Sequence, residues 1–108
     1  RDGEVTRGWL GIVPQPVTPE VAKALAINRL DGVLISDLLR GGPADRAGML
    51  VRDVVLEIGG KSTRSVPQLL ARIAELPPGS SIKVHVLRDG LDVEVDVMVG
   101  KRPKPDAQ

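Results

Sequence analysis

Residues 81–99 read "SIKVHVLRDGLDVEVDVMV", and this stretch constrains the fold more than any other. Apolar and polar residues alternate on both sides of Asp89-Gly90. Ile82, Val84 and Val86 share one face of the first arm, and Val93, Val95 and Val97 share one face of the second. Strict alternation marks a half-buried strand, and Asp-Gly between two such runs marks a two-residue hairpin turn. The chain therefore contains a long antiparallel hairpin with one apolar face, and something must cover that face.

The covering elements follow from the rest of the sequence. Ser65 and Gln68 have capping-box spacing, and Val66, Leu69, Leu70, Ile73 and Leu76 form an apolar stripe at helical period, so a helix is expected over 65–76. Pro77-Pro78-Gly79 stops it. A shorter helix is expected over 19–26, with Thr18 as cap, Pro19 in the first turn, and Val21, Ala24 and Leu25 on one face. Pro43 and Gly48 bracket a single helical turn. Strands are expected from Ile12-Val13, over 31–39 with Val33 and Ile35 inward, and over 53–60 with Val54, Leu56 and Ile58 on one face. Strands and helices mix without a regular βαβ repeat. The expected class is α+β, mainly β: a small, partly open antiparallel barrel or sandwich capped by two helices.

Composition narrows the chemistry. The chain has 108 residues, one Trp, no Phe, no Tyr and no Cys. Its core is therefore aliphatic and thin, and a disulfide framework or thiolate metal site is excluded. Net charge is +1, and it comes from the last eight residues, "KRPKPDAQ". Without them the balance is −1, so nucleic acid is not an expected partner. No apolar run reaches the roughly 18 residues of a membrane span. "RDGEVTRG" lacks the apolar core of a signal peptide, so the chain is expected to be a piece of a longer one.

No catalytic set is visible. His85 is the only histidine and lies on an alternating strand, where it points outward. There is no Gly-x-Ser-x-Gly signature, and Gly60-Lys61-Ser62 lacks the upstream glycines of a phosphate loop. Asp92, Glu94 and Asp96 read as a solvated strand face. Nothing calls for a metal or a cofactor.

One segment remains. "RGWLGI", Arg7–Ile12, places the only aromatic residue between two glycines and runs into a strand containing Pro14 and Pro16. Together with "QPVTPEVAKAL", "DGVLISDLLRGGPADRAGMLVRDVVLEIGGKSTRSVPQLL" and "PPGSSIKVHVLRDG", it resembles a PDZ domain of the bacterial HtrA/Deg serine proteases, over roughly residues 7–99. The resemblance implies a linker at 1–6, a PDZ domain at 7–100 and a flexible tail at 101–108. It implies a parent with a trypsin-like protease domain ahead of one or two PDZ domains. Such parents are usually trimeric and serve protein quality control in the periplasm.

The resemblance also implies a site. "GWLGI" matches the carboxylate-binding loop, so the N–H groups of Leu10, Gly11 and Ile12 would hold the C-terminal carboxylate of a peptide. Successive N–H groups facing one concavity make an anion nest. Arg7 would add positive potential and Trp9 lies beside the nest. The peptide would add as a strand along Ile12, Val13 and Pro14, facing Val66, Leu70 and Ile73 of the helix. This groove suits a small or aliphatic last residue: Val, Ala or Leu. Pro14 departs from the pattern because it offers no N–H. Pro14 and Pro16 share one side of their strand, which must be an open edge. Recognition then leans on the carboxylate and the last one or two side chains; alternatively, the prolines only protect the edge from aggregation. Two roles fit: a regulatory or substrate-recognition domain for the C-termini of unfolded or unassembled envelope proteins, or a docking module of a secretion or membrane-protease system.

Overall fold

The computed structural model describes residues 7–29 and 31–102. The expected linker at 1–6 and positions 103–108 of the expected tail lie outside the described residues. Among the described residues, eight strands and three helices follow in order: β1 (Gly8–Trp9), β2 (Ile12–Pro16), α1 (Pro19–Ala24), β3 (Val33–Leu38), α2 (Pro43–Ala47), β4 (Val54–Ile58), β5 (Lys61–Ser62), α3 (Val66–Ala74), β6 (Ser81–Arg88), β7 (Leu91–Met98) and β8 (Gly100–Lys101). The main sheet is antiparallel and open, in the order β2-β3-β4-β6-β7, with β5 paired to β4. β1 and β8 form a separate two-stranded ribbon.

The hairpin is as expected. β6 and β7 pair without a break from Ser81↔Met98 to Arg88↔Leu91, around a turn whose two residues have positive φ, Asp89 at 52° and Gly90 at 79°. Val84, Val86, Val95 and Val97 are buried against α3 and α2. α3 starts where Ser65 Oγ accepts from the Gln68 N–H at 3.2 Å. The Gln68 side chain reaches back to the Arg64 N–H at 2.7 Å, one residue beyond the usual capping-box position.

Three expectations need correction. Three helices, not two, pack on the strands, because the Pro43 turn is a short helix, α2, ended by Gly48. α1 stops at Ala24, with Leu25 as its cap. Val54, Leu56 and Ile58 do not share a face. The β4–β6 register steps from Val55↔Val86 to Glu57↔His85, so Leu56 is an extra residue in β4. Val54 and Leu56 point to one side of the sheet, and Val55 and Ile58 to the other.

The sheet thus has two apolar faces. The larger core joins Val33, Ile35, Val55 and Ile58 with the hairpin valines, Leu69 and Ile73 of α3, and Met49. A second core lies under α1, where Val17, Ala22, Leu34, Val54 and Leu56 meet. One charged pair is built into this frame. Asp53, 1 % exposed, accepts two bonds from Arg88, from Nε at 2.9 Å and a terminal nitrogen at 2.8 Å, and one from the Leu50 N–H at 3.0 Å. Hydrogen bonding to Asp53 holds the Arg88 pKa above its ordinary value. Among the described residues, no helix is long and apolar enough to cross a membrane.

Candidate functional site: a cleft between the first strands and the third helix

β1 runs directly into the turn at Leu10-Gly11 and on into β2. Its position is set by close packing. A Cβ on Gly8 would collide with the Ile73 carbonyl oxygen and lie 2.6 Å from that of Leu76, so only glycine brings this strand flush against the end of α3. On its other side β1 pairs with β8, Gly8 opposite Lys101 and Trp9 opposite Gly100. Lys101, expected in the flexible tail, is therefore part of the ribbon.

The turn itself is held from inside. The Leu10 carbonyl accepts from the Ala44 N–H at 2.9 Å, and the Gly11 carbonyl from the Leu39 N–H at 2.9 Å. Leu10 is buried and anchors the loop in the core. In a planar trans peptide the N–H points opposite the preceding carbonyl. With the Leu10 and Gly11 carbonyls turned toward α2 and β3, the N–H groups of Gly11 and Ile12 face away from the body of the domain. Gly11 has φ +72°, a conformation that L side chains rarely adopt, and this bend makes the turn.

β2 is an edge strand, as the prolines require. Pro14 lies opposite Ile35. The Ile35 N–H donates to Asp53 and its carbonyl accepts from Arg52, both at 2.8 Å, so both groups of Ile35 serve the β4 side. Pro14 is thus in a pair that exchanges no hydrogen bonds, and its ring nitrogen and carbonyl face the open edge. Ser36 is an extra residue between the pairs Val13↔Asp37 and Pro14↔Ile35, and its hydroxyl donates to the Val13 carbonyl at 3.0 Å.

Between this edge and α3 lies a cleft of about 360 Å³. One wall is Gly8 to Ile12. The other is Leu70, Ala71, Ile73 and Ala74 of α3, and Arg7 and Arg102 stand at the rim. Of the residues named from the sequence, Arg7, Trp9, Leu10, Gly11, Ile12, Leu70 and Ile73 line this one cleft. Leu70 is 47 % exposed, an unusual position for a leucine on a packed helix, while Ile73 is buried. Val66 packs on the core at the start of α3, and Val13 and Pro14 continue along the edge beyond the cleft wall. Ala71, Ala74 and Arg102 were missed. The alanines follow from continuing the exposed stripe of α3 at i, i+1 and i+4 from Leu70. Arg102 carries no such signal.

His85 is away from this cleft, with Nε2 at 2.8 Å from Asp92 Oδ1 and Nδ1 at 3.8 Å from Glu57. Lys83 pairs with Asp96 at 3.1 Å. These are cross-strand contacts on the exposed face of the hairpin, and among the described residues no cluster of His, Asp or Glu could hold a metal ion.

A PDZ domain family model matches residues 8–99. A DegP-like periplasmic serine endoprotease of Halomonas elongata is 42 % identical over 105 residues, covering 94 % of this chain and 22 % of that protein. The chain spans about a fifth of the length of the curated relatives it matches. The solved structure of the HtrA-type protease AlgW with a decapeptide superposes with a TM-score of 0.88 at 36 % identity, over 96 % of this chain and 32 % of that one. The HtrA3 PDZ domain bound to a phage-derived ligand, FGRWV, shares the fold at 15 % identity, with a TM-score of 0.75 over 90 % of this chain and 88 % of that one. The chain belongs to the PDZ domain family and is a PDZ domain of the HtrA/DegP serine protease type.

Proposed function

We propose that this domain captures the free C-terminus of a polypeptide in the cleft between β2 and α3. The carrying observation is the outward orientation of the Gly11 and Ile12 N–H groups in the wall of the cleft, beside an unpaired sheet edge. The two donors, with that of Leu10, hold the carboxylate, each charge-assisted bond contributing on the order of 1.5–3 kcal/mol. Arg7 adds positive potential. The last side chain enters between Leu70, Ile73 and the two alanines, where Val, Ala or Leu fits. The preceding residues extend β2 by strand addition.

The domain acts as the regulatory or substrate-recognition part of an HtrA-like periplasmic serine protease, whose chain supplies the endopeptidase domain. Its ligands are the exposed C-termini of unfolded or unassembled envelope proteins, and the parent is a trimer. Likeness to DegP-like endoproteases and to AlgW, solved with a decapeptide, supports this reading. Binding would bias the protease between its active and inactive states, a coupling between two sites.

The test is to follow backbone amide resonances while titrating a peptide that ends in Val. The Leu10, Gly11 and Ile12 resonances should move with the free acid and stay in place with the amide. Shifts confined to the β6–β7 hairpin would refute the assignment.

A further inference from the structure

The rim of the cleft carries more positive charge than one carboxylate needs. Gly8 opposes Lys101 and Trp9 opposes Gly100 in the β1–β8 ribbon. One step past the ends of both strands, the register continued sets Arg7 opposite Arg102. Both are exposed, both line the cleft, and no carboxylate lines it with them. Among the described residues, neither arginine has an ion-pair partner. Like charges directly opposed across a strand pair are destabilising, and an anion between them relieves that cost.

Accepting the C-terminal reading above, we infer that Arg102 is a specificity residue that selects peptides with an acidic side chain at the penultimate position. The last residue's carboxylate lies on the N–H groups of the turn, with Arg7 beside it, and its side chain enters the apolar wall of Leu70, Ala71 and Ala74. Successive side chains of an extended peptide point to opposite faces. The penultimate side chain therefore points away from this wall, and with Arg7 beside the terminal carboxylate, Arg102 is the exposed cation of the cleft left to meet it. A carboxylate there supplies the charge that the terminal carboxylate leaves uncompensated. Arginine suits this role because its planar fork binds carboxylates through two parallel bonds. Arg102 is brought to the cleft only by the β1–β8 pairing, far from the turn in sequence.

The experiment is calorimetric titration of the domain and its Arg102→Gln variant with three acetylated pentapeptides. These end in Asp-Val with a free carboxylate, Asn-Val with a free carboxylate, and Asn-Val as the amide. Arg102 is exposed, so the substitution leaves the fold intact. The unaltered domain should bind the Asp-Val acid about two- to fivefold more tightly than the Asn-Val acid, the range of an exposed ion pair. The preference should shrink as salt is raised. In Arg102→Gln it should vanish, while the Asn-Val acid still binds better than its amide. Equal affinity for the Asp and Asn acids in the unaltered domain, or a preference that survives in the variant, overturns the role of Arg102 alone. Equal affinity for the Asn-Val acid and amide overturns the C-terminal reading on which it rests, as does no binding by any of the three.

Discussion

Pro14→Val supplies the first of the two donors that Pro14 and Pro16 withhold from the open edge of β2. Ile35 directs both of its backbone groups to the β4 side, so the groups of Pro14 face an incoming peptide. With the peptide carboxylate on the Leu10–Ile12 turn and the peptide antiparallel to β2, the carbonyl of its third residue from the end lies opposite position 14. In the natural chain that carbonyl meets a ring nitrogen without hydrogen. Valine there would supply an N–H, and a typical intramolecular-quality bond contributes about 0.5–1.5 kcal/mol net, or roughly two- to twelvefold in Kd. The same change removes the conformational restriction of proline in the unfolded chain, lowering stability by about 0.4–1 kcal/mol. Affinity is read by calorimetry with a five-residue peptide and with a dipeptide bearing a free amine, which lacks the third carbonyl. The five-residue peptide should gain affinity and the dipeptide should not. If neither gains while the variant remains folded, the peptide does not run along this edge, and the strand-addition account fails. A large gain for the dipeptide would refute the register.

Three further outcomes follow from packing and charge. Gly8→Ala places a methyl group against the carbonyls that end α3, which should destabilise the domain by about 2–3 kcal/mol in urea unfolding and weaken peptide binding as β1 shifts; retained affinity and stability would show that β1 is not pinned there. Arg88→Met leaves the Asp53 carboxylate buried with only the Leu50 N–H, at a cost of about 3–5 kcal/mol, and adding Asp53→Asn should recover part of it; additive losses would deny the pairing. The hydrogen bond from Arg29 holds the Asp31 pKa below its ordinary value, so the pair stabilises the fold above about pH 4 and the contribution fades as pH falls through the folded pKa. Thermal unfolding of Asp31→Asn should therefore fall slightly below that of the natural chain at pH 6, with the gap narrowing as pH is lowered from about 4, the effect being small because both side chains are exposed.

Local features of the fold were legible because local chemistry decides them. The Asp89-Gly90 turn, the capped α3 and the helical turn between Pro43 and Gly48 all depend on residues within a few positions of one another. The edge character of β2 was legible for the same reason: two prolines on one side admit no other neighbour. What escaped were features fixed by pairing across long separations. The bulge at Leu56 arises where β4 meets β6, and no alternation within β4 reveals it. The second core escaped with it, since a reading with period two assigns each strand a single buried face, while Leu34 and Val54 need α1 to cover them. The Asp53–Arg88 pair joins positions 35 residues apart. In the site, the turn at Leu10-Gly11 was visible in "GWLGI" because its bend belongs to one glycine, and the resemblance to a carboxylate-binding loop named the proposed donors. Arg102 was not visible, because only the β1–β8 ribbon carries it to the cleft. Gly8 reads as turn chemistry in sequence, yet its role is to let β1 touch the backbone of α3.

Trp9 offers the most direct test of the central claim, since it is the only Trp and lies in the wall of the cleft. Its fluorescence is titrated with one peptide ending in Val, as the free acid and as the amide. Capture of a C-terminus predicts a saturable change with the acid and a response at least tenfold weaker with the amide, since at least one charge-assisted bond is lost. Equal responses to both forms would contradict the account.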